Sequence, residues 1–179
     1  IRVHLRENGY REIETPSIEY YDTFSAGAGK IPQENMFKFS GSDGRMLVLR
    51  PDLTIPAVRT YATKLRHDSD IVKLFYIGNA FNPLDAGGGK LKEFTQAGAE
   101  IIGASGEEVD AEIISRAIML AQSAGIDAFL IDICQVDFFK GIMEEAGFSE
   151  EEGEEVRRMV DGKQISNLEI LLQNKPISK

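Results

Sequence analysis

The residues with the clearest chemical pattern lie in FYIGNAFNPLDAGGGKLKEFTQAGAEIIG, from Phe75 to Gly103. It reads as two strands joined by a glycine-rich loop. Alternation along the second strand puts Phe94, Gln96, Gly98, Glu100 and Ile102 on one face and Thr95, Ala97, Ala99 and Ile101 on the other. The second set is small and apolar, fit to lie under a helix. The first carries an amide and a carboxylate with only a glycine between them, which would leave space for a ligand lying on the sheet. Tyr76, Gly78, Ala80 and Asn82 alternate in the same way on the first strand. Exposed sheet faces usually carry Lys, Thr, Glu and Arg, so a floor of Gly and Ala favours a binding site for a small polar molecule over a solvated face.

Upstream, Arg50, Asp52 and Thr54 stand together in RPDLT. Asp52 or Thr54 can cap the helix that follows, but capping accounts for only one of the two positions. Arg50 either pairs with a carboxylate or remains a surface charge. The loop PLDAGGGKLK, Pro83 to Lys92, could hold a phosphate through its amides and Lys90 or Lys92. It lacks the Walker spacing and the dinucleotide-binding glycine pattern, so it reads first as a hairpin tip.

These residues need a scaffold, and the rest of the chain supplies one. IRVHLRENG reads as the last turns of a helix closed by Gly9, and Ile1, which is not a natural start, marks the chain as a piece of something longer. A strand-like segment, Tyr10 to Ile13, precedes Thr15-Pro16. MFKFS and MLVLR flank Gly41-Ser42-Asp43-Gly44 as a hairpin. Ile55, Val58, Ala62 and Leu65 follow helical spacing, as do Val109, Ile113, Ile114, Ala117, Leu120 and Ala121. Ala128 to Cys134 reads as a buried strand. Hairpins dominate and crossover helices are few, so the expected fold class is α+β, an antiparallel sheet flanked by helices. From Val136 the chain reads as short amphipathic helices, which places a mixed core at 1–135 and a small helical appendage at 136–179. The acidic cluster Glu144, Glu145, Glu150, Glu151, Glu152, Glu154 and Glu155 reads as a solvated face rather than a cation site.

Composition narrows the function. Hydrophobic residues make up 42% and charged residues 27% of the 179 residues, as in ordinary globular domains. Lys and Arg number 20 against 29 Asp and Glu, a net charge of −9, which argues against a broad nucleic-acid surface. The single Cys134 excludes an internal disulfide and a cysteine metal cluster, and His4 and His67 are far apart, so neither a metal nor a cofactor is expected. Cys134 reads as a buried small hydrophobe. No apolar run is long enough to span a membrane and no signal peptide opens the chain, so the cytoplasm is the expected location.

In combination, LRPDLT (Leu49 to Thr54), FYIGNAF (Phe75 to Phe81) and KEFTQAGAEIIG (Lys92 to Gly103) resemble the class II aminoacyl-tRNA synthetase core of the histidyl type. The strand pair resembles motif 2, and ETPSIEYYD, Glu14 to Asp22, resembles motif 1, whose proline helps form the family's dimer interface. The resemblance covers about Tyr10 to Val136, and the appendage is similar to the helical insertion that follows in this family. It implies that Asp52, Thr54 and Gln96 bind the amino-acid end of histidine and that Glu100 binds its imidazole. Carboxylates and neutral acceptors suit an ammonium, and a carboxylate suits an imidazole N–H. Asp52 is one methylene shorter than the glutamate usual in the synthetases.

The departure from that pattern lies at Asn82 and Leu84. A synthetase has an arginine and a glutamate at these places. The arginine holds the ATP α-phosphate and stabilises charge that develops as the adenylate forms. Loss of such a donor costs on the order of a hundredfold or more in rate. A histidine-binding set beside a degenerate ATP site is most similar to the regulatory subunits of ATP phosphoribosyltransferase, synthetase paralogues without aminoacylation activity. That resemblance implies a non-catalytic subunit that forms a class II-type dimer and pairs with the short-form catalytic subunit in the first step of histidine biosynthesis. Histidine would be its effector, and no nucleic acid or membrane would be involved. The alternatives are a histidyl-tRNA synthetase fragment with an unusual motif 2, and a synthetase-like assembly scaffold.

Overall fold

The computed structural model describes residues 1–25, 31–67, 70–83, 91–133 and 135–173. It divides into two compact units, Ile1–Asp127 and Ala128–Lys179.

In the first unit, helix α1 (Arg2–Glu7) ends at Gly9, whose positive φ of 82° turns the chain into strand β1 (Arg11–Glu12). Strand β2 (Ile18–Tyr20) and the short helix α2 (Asp22–Ser25) follow. Strands β3 (Phe37–Ser40) and β4 (Met46–Leu49) form the expected hairpin, with Gly44 at φ 77° in its turn. Helix α3 (Thr54–Thr60) runs into a π-helical turn, Tyr61–Leu65. Strands β5 (Val72–Phe81) and β6 (Glu93–Ile102) pair antiparallel along their whole length, and helix α4 (Glu107–Ser123) follows.

The strands form two three-stranded sheets, ordered β1-β5-β6 and β2-β4-β3. The second is antiparallel throughout. The first is mixed, because β1 runs parallel to β5. The Ile13 amide extends that pairing to the Phe75 carbonyl at 2.9 Å. Buried Tyr10 anchors the segment against Leu5 and Phe75.

The expected division of the β5–β6 faces is present in part: Ala99 and Ile101 are covered, whereas Thr95 and Ala97, nearer the hairpin tip, are exposed. Ala99 and Ile101 lie with Ile77 and Phe75 against Leu5, Tyr10 and Leu120 of α4. Polar pins hold the same helix. Lys73 Nζ donates to both Glu112 oxygens at 2.7 Å, and the Tyr10 hydroxyl donates to Glu112 at 3.1 Å. Burial and that carboxylate push the Tyr10 phenol up to about 12. The hydrogen bond from Lys73 holds the Glu112 carboxyl below the usual carboxylate range.

In the second unit the segment 128–133 is not a strand. Leu130 and Ile133 are 83% and 74% exposed. An apolar β-branched run becomes a strand only where its N–H and C=O groups find a ladder, and no described strand pairs with it. Cys134 lies outside the described residues. Helices α5 (Val136–Glu145), α6 (Glu150–Asp161) and α7 (Ile165–Gln173) follow. A reciprocal capping box starts α6. The Glu152 amide donates to Ser149 Oγ at 3.3 Å and the Ser149 amide to Glu152 Oε2 at 2.8 Å. Glu144, Glu145, Glu150, Glu151, Glu154 and Glu155 are exposed, and Glu152 is spent on the cap. Among the described residues, no helix is long and apolar enough to cross a membrane.

Candidate functional site

Strand β4 delivers Arg50, Pro51 and Asp52 to the polar face of β5–β6. The Arg50 amide donates to the Ser17 carbonyl and the Phe81 amide donates to the Arg50 carbonyl, each at 3.0 Å. The chain then turns into α3, and Asp52 caps it. Asp52 Oδ1 accepts the Thr54 amide at 2.7 Å and the Ile55 amide at 3.2 Å. Thr54 is thereby released from capping, and its hydroxyl faces the sheet.

Two long-range bonds fix this turn to β6. The Leu53 amide donates to Gln96 Oε1 at 3.1 Å, and Gln96 Nε2 donates to Asp52 Oδ2 at 2.9 Å. The remaining connection runs through a residue to which the sequence pattern assigned no role. The Tyr76 hydroxyl lies 2.9 Å from Thr54 Oγ1 and donates to Glu100 Oε1 at 2.9 Å. Asp52, Thr54, Gln96 and Glu100 are thus drawn into one network, all half-buried, with buried Tyr76 at its centre. Burial pushes the Tyr76 phenol up, the Thr54 hydrogen bond works the other way, and the charges of Glu100 and Asp52 add to the rise.

Tyr76 also changes what the glycines do. Gly98 sits directly across from Tyr76 in the register, and the space above it is filled rather than open. A Cβ on Gly98 would come within 2.5 Å of Tyr76 Cζ. Likewise a Cβ on Gly78 would come within 2.7 Å of Arg50 Nη2. The floor of small residues accommodates the protein's own aromatic ring and guanidinium. A sequence signal for this existed: an aromatic residue facing a glycine across antiparallel strands commonly covers it.

Among the described residues Arg50 forms no ion pair, and it is not a surface charge. It is 5% exposed and donates to the Asn79 carbonyl at 2.7 Å, to Thr15 Oγ1 at 3.0 Å, to the Pro16 carbonyl at 3.3 Å and to the Thr15 carbonyl. Burial lowers its pKa, but the group remains a cation. It ties the Thr15-Pro16 bend and the end of β4 to the middle of β5. With Glu14, Tyr76 and Gly78 it lines a cavity of about 380 Å³.

Asn82 ends β5. Its amide donates to the Lys92 carbonyl at 2.9 Å, closing the strand pair, and the residue is half-buried. Leu84, and most of the loop PLDAGGGKLK with Lys90, lie outside the described residues. Among the described residues no group of three His, Cys, Asp or Glu side chains is placed to hold a metal ion.

An antiparallel strand pair carrying a polar network over its face, flanked by a strand-turn-helix that supplies Asp52 and Thr54, defines a class II synthetase-like domain. The chain belongs to the histidyl-tRNA synthetase family, whose model matches residues 1–179. Among curated proteins it is 53% identical over 97% of its length to the ATP phosphoribosyltransferase regulatory subunit of Acetivibrio thermocellus. It is 48% identical over 99% of its length to that of Ruminiclostridium cellulolyticum. A crystal structure from Bacillus halodurans, described as an ATP phosphoribosyltransferase regulatory subunit/histidyl-tRNA synthetase, superposes with a TM-score of 0.86 at 29% identity. That superposition covers 99% of this chain and 46% of the other. The chain spans 41% and 42% of the length of the two curated relatives.

Proposed function

We propose that this chain is the synthetase-like part of a non-catalytic regulatory subunit of ATP phosphoribosyltransferase, and that it binds histidine as a feedback effector. The observation that carries the proposal is a contrast within one strand pair. Asp52, Thr54, Gln96 and Glu100 belong to one hydrogen-bond network that runs through Tyr76, while Asn82 stands where a synthetase keeps its α-phosphate arginine. Asp52 and Thr54 offer acceptors to an ammonium, and Glu100 offers a carboxylate to an imidazole N–H. Asn82 carries no charge with which to stabilise adenylate formation. The curated relatives are named ATP phosphoribosyltransferase regulatory subunits, which supports the regulatory part of the reading.

The subunit then acts in the cytoplasm as a class II-type dimer that associates with the short-form catalytic subunit, which performs the phosphoribosyl transfer. The stretch from Val136 onward serves as the family's helical insertion. Regulation requires that histidine bind two states of the complex with different affinity.

Titration calorimetry of the full-length protein with histidine tests the site: heat is expected for the wild type and its loss for Glu100→Ala, and a silent wild type would overturn the reading. ATP–pyrophosphate exchange tests the other half. Histidine-dependent exchange would make the protein a synthetase instead. Capture of the short phosphoribosyltransferase subunit, unaffected by histidine, would reduce the domain to a scaffold.

A further inference from the structure

Resting on the histidine-binding reading, we infer that Tyr76 is a positioning residue that fixes the direction of the hydrogen bonds in this network, so that the Thr54 hydroxyl meets a ligand only as an acceptor. The Tyr76 oxygen stands 2.9 Å from both Glu100 Oε1 and Thr54 Oγ1. An ionised carboxylate has no proton to give, so the single phenol proton goes to Glu100. Thr54 must then give its own single proton to the Tyr76 oxygen. The competing acceptor, Asp52 Oδ2, is farther away at 3.4 Å and already accepts from Gln96. With its proton committed inward, Thr54 Oγ1 presents lone pairs outward.

The other members are fixed as firmly. The Leu53 amide can only donate, so it holds Gln96 Oε1, and Nε2 is left facing Asp52. Asp52 accepts from two amides and one carboxamide and can only accept more. Glu100 keeps Oε2, to which no described side chain donates. Among these residues the one donor left to a ligand is the second Gln96 Nε2 hydrogen. The array therefore reads N–H groups, an ammonium above all, and reads the α-carboxylate weakly. The buried phenol keeps its proton throughout the neutral range, so the direction of the chain does not reverse.

The test uses the full-length protein and titration calorimetry with L-histidine, histidinol (no carboxylate) and imidazolepropionate (no amine). Tyr76→Phe, which keeps the ring over Gly98, is expected to weaken histidine and histidinol alike by about tenfold, the size of one well-placed hydrogen bond. Imidazolepropionate should lose clearly less, because it has no ammonium to meet Thr54. In a Thr54→Val background, Tyr76→Phe should no longer change the ratio of histidine to imidazolepropionate affinity. Should Tyr76→Phe fail to fold, the Thr54 variants decide alone: Thr54→Ser should keep the preference for amines in full, and Thr54→Val should reduce it to what the Asp52 carboxylate supplies. Equal weakening of all three ligands by Tyr76→Phe, or an amine preference undiminished by Thr54→Val, overturns the positioning role while leaving histidine binding intact. A wild type that binds none of the three overturns the histidine reading, and this inference with it.

Discussion

The two faces of the β5–β6 pair follow the same alternation and do opposite work. On the helix-covered face, Phe75, Ile77, Ala99 and Ile101 pack with Leu5, Tyr10 and Leu120, and their identity matters mainly through volume. On the other face, Tyr76, Gln96 and Glu100 are joined with Asp52 and Thr54 by directed bonds, and their identity matters through donor and acceptor valence. A conservative apolar swap is tolerable on the first face and has no counterpart on the second. The glycines show the same split. Gly98 is required by the ring that lies on it, whereas Ala99, its neighbour in sequence, is simply small enough to sit under a helix.

The sharpest break is expected on the packing face. Phe75→Ala empties a fully buried site and should cost about 3–5 kcal/mol, read as a lower urea midpoint. Next comes Gly98→Ala, whose methyl cannot coexist with Tyr76 in place. A loss of about 1–3 kcal/mol is expected, with histidine binding abolished. Tyr76→Ala in that background should recover part of the loss, and strictly additive effects would show that the two residues do not share the space. Asp52→Ala removes a helix cap and the partner of Gln96. About 1 kcal/mol is expected by thermal melting, with a larger effect on binding than on stability.

The smallest effect lies at the edge of the packing face. Because Glu112 has a depressed pKa in the folded protein, its contribution is present above the ordinary carboxylate range and disappears as the pH falls through the lower folded value. Glu112→Gln should cost about 0.5–1 kcal/mol at neutral pH and nothing at the acid end, which flattens that limb of the stability–pH profile.

How much of this was legible depended on sequence distance. The hairpin around Gly41 to Gly44, the cap at Asp52 and the amphipathic helices after Val136 rest on local signals, and the structure contains them. The alternation in β6 separated Ala99 and Ile101 from Gln96 and Glu100, but Thr95 and Ala97, expected on the covered face, are exposed, because cover comes from elements distant in sequence. Arg50 was misread because its partners, the Thr15 hydroxyl and carbonyl and the Asn79 carbonyl, lie 35 and 29 residues away and carry no charge to suggest them. The segment 128–133 was misread because β-propensity is expressed only where a ladder partner exists.

The sequence by itself determined the synthetase-like pattern, the convergence of acceptors in RPDLT and EFTQAGAE, and the absence of an arginine at Asn82, because these depend on residue types and their spacing. Only the tertiary structure decided that Tyr76 lies over Gly98 and links Thr54 to Glu100, and that Arg50 is buried over Gly78. Strand register and the docking of α3 are long-range packing outcomes. They determine which small residue leaves open space and which one receives a neighbour's side chain.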